Sequence, residues 1–155
     1  MRAVIQRVAR ASVSVDQVVV GSIDTGLLAF VAVADNDTAE DSAYLAGKIA
    51  KLRVFTSHGR MAKSVVDEKG KVLLISQFTL YANTRKGSRP SFSRAAQPKE
   101  ARLLMETIAN QLRNLAVPVE TGQFGAHMEV EVVNHGPVTI ILDSDDRLAS
   151  RRQNP

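Results

Sequence analysis

The chain has 155 residues, of which 45% are hydrophobic and 23% are charged, and its formal net charge is +4. This length and composition predict a single globular domain, and no apolar run approaches the ~20 residues that a membrane-spanning helix needs. The absence of cysteine excludes disulfides and thiolate chemistry, which fits a cytoplasmic protein. The positive charge weakly favours a polyanionic partner.

Strand-like patterns occupy most of the chain. Segments rich in Val and Ile are predicted as strands at residues 3–8, 12–15, 18–23, 27–34, 54–57, 72–82, 128–133 and 138–142. Two helices are predicted among them. The first follows the capping-box pattern Thr38-Ala-Glu-Asp41 and ends near residue 52, and the second begins at Pro98 and ends before Val117-Pro118. This arrangement predicts the α+β class, with a mostly antiparallel, barrel-like sheet and two main helices on one face.

The common cofactor and metal motifs are missing from the sequence. The histidines at positions 58, 127 and 135 lack metal-ligand spacing, and no Gly-x-Gly-x-x-Gly or Walker loop is present. A cluster of acidic residues suits the N-terminus of the first helix better than a metal site. Its members are Asp35, Asp37, Glu40 and Asp41. We therefore expect neither a cofactor nor a metal.

Two short motifs stand out from the strand-like background. Ser76-Gln-Phe-Thr-Leu80 places polar side chains on both faces of a predicted strand, so these groups need partners, either internal neighbours or a ligand. Asn134-His-Gly-Pro-Val-Thr139 interrupts another strand-like run. A hairpin turn would explain its Gly-Pro, but glycine also marks places where another molecule approaches the backbone. The residues alone leave both questions open.

A basic loop is predicted between the strand that ends near residue 82 and the second helix. Within residues 83–91 it carries Arg85, Lys86 and Arg89. These side chains form either an ordinary solvated loop or a contact surface for nucleic-acid phosphates, which would give affinity without sequence choice.

Four passages carry most of the recognisable signature of the sequence. They are MRAVIQRV at the N-terminus, DSAYLAGKIAKLRVF from residue 41, SQFTLYANTRKGSRPSF from residue 76, and VPVETGQFGAHMEVEVVNHGPVT from residue 117. Together they resemble the D-aminoacyl-tRNA deacylases, editing enzymes that hydrolyse D-amino acids from mischarged tRNA. The resemblance covers residues 1–143 as one domain and leaves 144–155 as a polar tail, which we expect to be mobile. Family sequences often have Asp where His135 stands, which leaves a pH dependence open.

The resemblance implies a homodimer that acts on the aminoacylated 3′ end of tRNA. Gly136-Pro137 of each subunit, with a cis peptide bond, would enter the other subunit's active site and reject L-amino acids, while glycyl-tRNA, including tRNA(Ala) mischarged with glycine, would be accepted. The catalytic segment would consist of Ser76, Gln77, Phe78 and Thr79. Phe124, Met128 and Asn134 would bind the substrate and its terminal adenosine, although core packing explains Phe124 and Met128 equally well.

The mechanism leaves two interpretations of Thr79. Backbone N–H groups around Phe78 and Thr79 would stabilise the oxyanion, and either Thr79 positions the ester while the ribose 2′-OH helps to activate water, or Thr79 is itself the nucleophile. No general base is visible beside Thr79 in the sequence. Two other functions remain as alternatives: an esterase for small D-amino acid esters, and a module that binds tRNA ends without hydrolysis.

Overall fold

The computed structural model describes residues 1–148 of the chain. The strands are β1 (Arg2–Val15), β2 (Val18–Ile23), β3 (Gly26–Ala32), β4 (Phe55–Ser57), β5 (Arg60–Lys63), β6 (Lys71–Ser76), β7 (Val119–Thr121) and β8 (Glu129–Asp143). The helices are α1 (Ala39–Lys51) and α2 (Pro98–Asn114). Two short 3-10 helices cover Phe78–Tyr81 and Ser144–Arg147.

The main sheet is mixed and nearly closes into a barrel. Its strand order is β2-β1-β3-β6-β7, and β8 also pairs with β1. β1 is antiparallel to β2, β3 and β8, whereas β6 is parallel to β3 and β7. The end strands meet at Gly21, where an added Cβ would lie 2.7 Å from the Thr121 carbonyl oxygen. The predicted α+β class with a barrel-like sheet and two helices is confirmed.

The parallel strands β3 and β6 lie in the interior of the strand order and are buried on both faces. Leu27 and Leu74 belong to the core that α1 and α2 cover, whereas Leu28 and Leu73 face the interior of the barrel. Central parallel strands of this kind have near-continuous apolar sequences, which GLLAFVA and KVLLIS provide.

Both helices begin where the sequence predicts. Thr38 is the N-cap of α1, and its N–H and hydroxyl both donate to the Asp41 carboxylate, at 2.9 and 3.0 Å. Pro98 occupies the first turn of α2, where the missing N–H costs no hydrogen bond. Ile108 and Leu112 are fully buried where α2 packs on the core.

The structure differs from the predicted strands in two places and answers one question that the residues left open. The strand predicted for residues 72–82 ends at Ser76 and is followed by a 3-10 helix, because β3, its partner, ends at Ala32. The Gly-Pro motif is not a hairpin turn, since the chain pairs with β1 on both sides of it. β5 and β7 were not predicted, because each has only three or four residues and lacks a clear apolar pattern.

The predicted tail starts at Ser144, within the described part of the chain. Ser144 is fully buried and its N–H donates to the Met1 carbonyl at 2.8 Å, while Arg147 contacts Glu40 and Asp41 of α1 at 3.0 and 3.1 Å. The rest of the predicted tail, from residue 149, lies outside the described residues. Among residues 1–148, neither helix is long and apolar enough to span a membrane.

Candidate active site

The end of β6 presents the Ser76–Thr79 segment at the surface. The Gln77 N–H donates to the Val31 carbonyl at 2.7 Å, which is the last bond to β3 before the chain turns into the 3-10 helix. Within residues 1–148, no acceptor binds the N–H groups of Phe78 or Thr79, as expected in the first turn of a helix. Two consecutive backbone donors are therefore free beside exposed side chains.

The Thr79 hydroxyl has one side-chain partner in the described chain, the Gln77 amide, which donates to it. An amide N–H fixes the hydroxyl but cannot take its proton. Tyr81, which ends the 3-10 helix, is buried between the guanidinium groups of Arg2 and Arg94. Burial raises the pKa of the Tyr81 phenol well above its usual range, so this group stays protonated.

Two clefts meet beside this segment. Cleft A, of about 450 Å³, is lined by Ser76, Gln77 and Phe78 on one side and by residues 124–128 on the other. Cleft B, of about 480 Å³, lies between α2 and residues 121–124. Ser76, Phe124 and Met128 line both clefts, so the two form neighbouring compartments.

Phe124 and Met128 are half-buried and belong partly to the core. Phe124 packs against the helix-covered core, and Met128 packs against the barrel interior. Their remaining surfaces line the clefts, and the Arg102 guanidinium lies 5.1 Å from the centre of the Phe124 ring. The structure thus places both predicted residues beside Ser76, with one surface in the core and another available to a ligand.

The Gly136-Pro137 turn lies elsewhere, in the middle of β8. On either side of it, Asn134 pairs with Val8 and Thr139 pairs with Gln6 of β1. Between these two pairs, the four residues 135–138 of β8 lie opposite a single residue of β1, Arg7. The Gly136–Pro137 peptide bond is cis, and both residues are exposed. Neither residue lines cleft A or cleft B.

Asn134 braces this turn and does not join Phe124 and Met128 in a cleft. Its side-chain oxygen accepts from the Val138 N–H at 3.2 Å, and its amide nitrogen donates to the Thr139 hydroxyl at 3.0 Å. Both ends of the amide therefore have partners within β8. The structure separates Asn134 from the two other residues predicted to bind adenosine.

Arg85, Lys86 and Arg89 are exposed on the loop that follows the 3-10 helix. The loop is closed by the backbone pair Asn83–Ser91, with N–H to carbonyl distances of 2.7 and 3.0 Å. In the described chain, none of the three cations contacts a carboxylate within 4 Å. Their charge is available at the surface. Also within residues 1–148, no three His, Asp or Glu side chains form a metal-ligand cluster.

Three arginines near these features were not predicted from the sequence. Arg7 is buried, and it donates to the carbonyl oxygens of His135, at 3.0 Å, and of Val54. A signal for it exists, because residue 7 continues the inward alternation of Ala3 and Ile5, where an arginine needs buried partners. Arg102 and Arg113 line cleft B. On α2 they look like ordinary surface charges, so no local signal distinguishes them.

Comparison with known proteins identifies the family. The model of the family described as D-Tyr-tRNA(Tyr) deacylase matches residues 4–143, almost the whole chain. This chain belongs to the D-Tyr-tRNA(Tyr) deacylase family. The resemblance inferred from the sequence is confirmed, and membership of this deacylase family makes the chain a hydrolase.

Curated members of the deacylase family are similar along almost their entire length. A D-aminoacyl-tRNA deacylase of Thermomicrobium roseum is 54% identical over 145 residues, which cover 93% of this chain and 94% of the relative. One of Chloroflexus aurantiacus is 52% identical over 153 residues, covering 98% and 96%.

Solved structures share this fold. A structure titled c-Myc DNA Unwinding Element Binding Protein superimposes with a TM-score of 0.86 at 36% identity, covering 92% of this chain and 98% of that one. Another, of a probable eukaryotic D-amino acid tRNA deacylase, has a TM-score of 0.79 at 15% identity, covering 91% and 97%. At that identity, the second likeness shows the deacylase fold alone.

Proposed function

We propose that this chain is an editing hydrolase that cleaves the ester between a D-amino acid and the 3′-terminal adenosine of tRNA. The proposal depends on the free backbone N–H groups of Phe78, which lines cleft A, and of Thr79, the next residue in the chain. An ester carbonyl placed there would meet two donors when it becomes an oxyanion, and each such donor contributes about 3–4 kcal/mol in other hydrolases. Family membership and the curated relatives support the same reaction.

Phe124 and Met128 would hold the terminal adenine. An aromatic ring and a thioether make apolar contact with any base, and stacking on an aromatic is worth about 1–3 kcal/mol per base. Such a contact does not depend on the identity of the base, which suits an enzyme that meets the same terminal adenosine on every tRNA. Ser76 and Gln77 line cleft A together with Phe78, Phe124 and Met128, and there they would hold the ribose and the ester.

Thr79 would position the ester, and the ribose 2′-OH would help to activate the attacking water. The contact to the Gln77 amide orients the Thr79 hydroxyl, but within residues 1–148 no carboxylate or imidazole accepts its proton. An activated ester asks less of a catalyst than an amide does, so positioning and oxyanion binding provide much of the rate acceleration.

This mechanism predicts that no acyl-enzyme forms. Thr79→Ala should lower the rate of D-Tyr-tRNA hydrolysis, while Thr79→Ser should retain most of it because the hydroxyl remains. Denaturing quench and mass spectrometry of the wild type during turnover should show only unmodified protein. Near-complete loss of activity in Thr79→Ala, together with a D-tyrosyl adduct on Thr79 of the wild type, would instead establish a covalent mechanism.

Chiral selection would come from Gly136-Pro137 of a second subunit in a homodimer. The turn is exposed, and it lies outside both clefts of its own subunit. The strand that carries it also exposes the apolar side chains of Val132, Val133 and Ile141. Inserted into cleft A of the partner, a rigid backbone wall would exclude an L side chain. A backbone wall that excludes only an L side chain would not exclude glycine, which has no side chain. We therefore include glycyl-tRNA among the proposed substrates, and with it tRNA(Ala) mischarged with glycine. The proposed site of action is the cytoplasm.

A paired assay tests the proposed reaction. D-Tyr-tRNA and L-Tyr-tRNA are incubated with equal, low enzyme concentrations without added metal, and ester loss is compared with the enzyme-free rate. Rapid loss of the D ester alone supports the reaction and its chiral filter. Equal loss of both would contradict the Gly-Pro wall, and loss of neither would favour a binding module. Inhibition by deacylated tRNA separates the proposal from an esterase for small D-amino acid esters, which should ignore that competitor.

A further inference from the structure

Cleft B has no role in the reaction proposed above, although it adjoins the proposed adenosine position. The two clefts share Ser76, Phe124 and Met128, so a chain that leaves cleft A past Phe124 enters cleft B directly. The floor of cleft B is apolar and is formed by Leu74, Met105 and Ala109.

The rim of cleft B has the donors and acceptors that suit a nucleotide. Arg102 and Arg113 supply two guanidinium groups, which lie about three turns apart on α2. Arg102 stacks on Phe124, and Arg113 donates to the Asn110 side-chain oxygen at 3.1 Å. In the described chain, neither guanidinium lies within 4 Å of a carboxylate, so both charges remain available to a ligand. Planar guanidinium groups bind phosphate through two parallel hydrogen bonds.

Glu106 adds an acceptor to the same rim. It lies between the two arginines in sequence and lines cleft B with Asn110 and Gln123. A carboxylate accepts hydrogen bonds from the exocyclic amine of cytosine, and a side-chain amide both donates and accepts. Such a mixed rim above an apolar floor fits a base with a polar edge better than it fits a bare anion, which Glu106 would repel.

We propose that cleft B binds the nucleotide that precedes the terminal adenosine of tRNA, with its phosphodiester at Arg113 and its base over the apolar floor. The proposal rests on the proposed function, because it takes the adenosine to occupy the Phe124–Met128 position. It adds a second nucleotide subsite to the enzyme. The subsite anchors the single-stranded end of the tRNA independently of the basic loop at Arg85.

Two small substrates isolate this subsite. D-tyrosyl-adenosine lacks the phosphodiester and the second base, whereas the D-tyrosyl ester of the dinucleotide cytidylyl-adenosine has both. For the wild type, we expect kcat/KM to be about tenfold higher for the dinucleotide, mainly through KM, which corresponds to one charge-assisted contact at an exposed site. Arg113→Ala should remove most of this gain, and Arg113→Lys, which keeps a charge without the fork, should retain part of it.

Lys48→Ala serves as the matched control, because Lys48 is an exposed cation on α1 that lines neither cleft. It should leave the dinucleotide gain unchanged. Urea unfolding of each variant separates lost binding from lost stability. The proposal is overturned if the wild type shows no gain with the dinucleotide, or if Arg113→Ala slows both substrates equally. If the wild type hydrolyses neither substrate nor D-Tyr-tRNA, the proposed function fails as well.

Discussion

The buried Arg7 side chain holds the Gly-Pro turn in place through hydrogen bonds to neutral oxygen atoms. Its guanidinium is buried and reaches the carbonyl oxygens of His135 and Val54 and the Thr56 hydroxyl. Among residues 1–148, no carboxylate lies within 4 Å of it. A buried guanidinium needs hydrogen-bond acceptors, so these three oxygen atoms hold the Arg7 side chain in place. Through its bond to the His135 carbonyl, Arg7 in turn holds the Gly-Pro turn in place.

Gly136→Ala tests how strictly this position requires glycine. Gly136 has φ +122°, which L side chains rarely adopt, and an added Cβ would lie 2.5 Å from Arg7 Nη2. We expect a loss of about 1–3 kcal/mol in the free energy of unfolding from backbone strain. D-Tyr-tRNA hydrolysis should fall more than about tenfold, because the displaced turn would no longer fit the proposed active site of the partner subunit. Urea unfolding and initial rates measure the two effects.

Gly47→Ala is the matched control for this substitution. Gly47 lies within α1, and an added Cβ there would meet no atom within 4 Å. Alanine should therefore stabilise the helix by about 0.5–1 kcal/mol and leave hydrolysis unchanged. A fully active Gly136→Ala enzyme that still prefers D-Tyr-tRNA would contradict the role proposed for the turn.

At the level of elements, Asp41 joins the start of α1 to the segment after β8. Burial alone would raise the pKa of the Asp41 carboxyl, but hydrogen bonds from the Thr38 N–H and hydroxyl, from Ser144 and from Arg147 lower that pKa to about 2. Because the folded-state pKa lies below the ordinary value of 3.8, the carboxylate stabilises the fold above pH 4. This stabilisation is lost as the pH falls toward 2.

Asp41→Asn should remove this pH-dependent contribution. Near neutral pH, we expect the variant to be about 2 kcal/mol less stable than the wild type, and the difference should shrink by about half near pH 3. Urea unfolding at both pH values measures it. Asp24→Asn is the control, since Asp24 is exposed and has no side-chain partner in the described chain. A difference that stays constant with pH would mean that Asp41 acts through packing and not through its charge.

At the scale of the molecule, we propose that the basic loop with Arg85, Lys86 and Arg89 contacts tRNA phosphates at a distance from the clefts. Reversing the charge of Arg85 and Lys86 to Glu should raise KM for D-Tyr-tRNA about tenfold or more and reduce its salt dependence, because fewer counterions are released on binding. Hydrolysis of D-tyrosyl-adenosine, which has no acceptor stem, should not change. Reversal of Lys48 and Lys51 on α1 is the control. An unchanged KM and salt dependence would rule out a phosphate contact at the loop.

Mixing two defective variants tests the cross-subunit site. Gly136→Ala and Thr79→Ala damage different parts of the proposed active site, which different subunits would supply. A heterodimer of the two then contains one intact site and one doubly defective site, so random reassociation should restore about a quarter of the wild-type activity. Activity is measured after the mixture has exchanged subunits. The cross-subunit model would be contradicted if the heterodimers showed no recovered activity. It would also be contradicted if light scattering showed a monomer that was fully active.

Much of the fold could be predicted from local sequence. Thr38 with Asp41 predicts the start of α1, Pro98 predicts the start of α2, and the apolar runs of β3 and β6 predict buried strands. These features depend on neighbours within a few residues, so the sequence displays them directly. The family signatures also pointed to the Ser76–Thr79 segment, of which Ser76, Gln77 and Phe78 line a cleft together with Phe124 and Met128, whereas Thr79 lines neither cleft.

Other features depended on contacts between distant residues. β6 ends at Ser76 because β3 ends, and the Gly-Pro motif is a bulge and not a hairpin because Arg7, 128 residues away from His135, lies opposite it. Cleft B exists because α2 packs beside residues 121–124. By itself, the sequence determined the family, the class and the local elements, since those follow from short-range patterns. Only the tertiary structure decided which side chains converge, because strand pairing and helix packing bring them together across the chain.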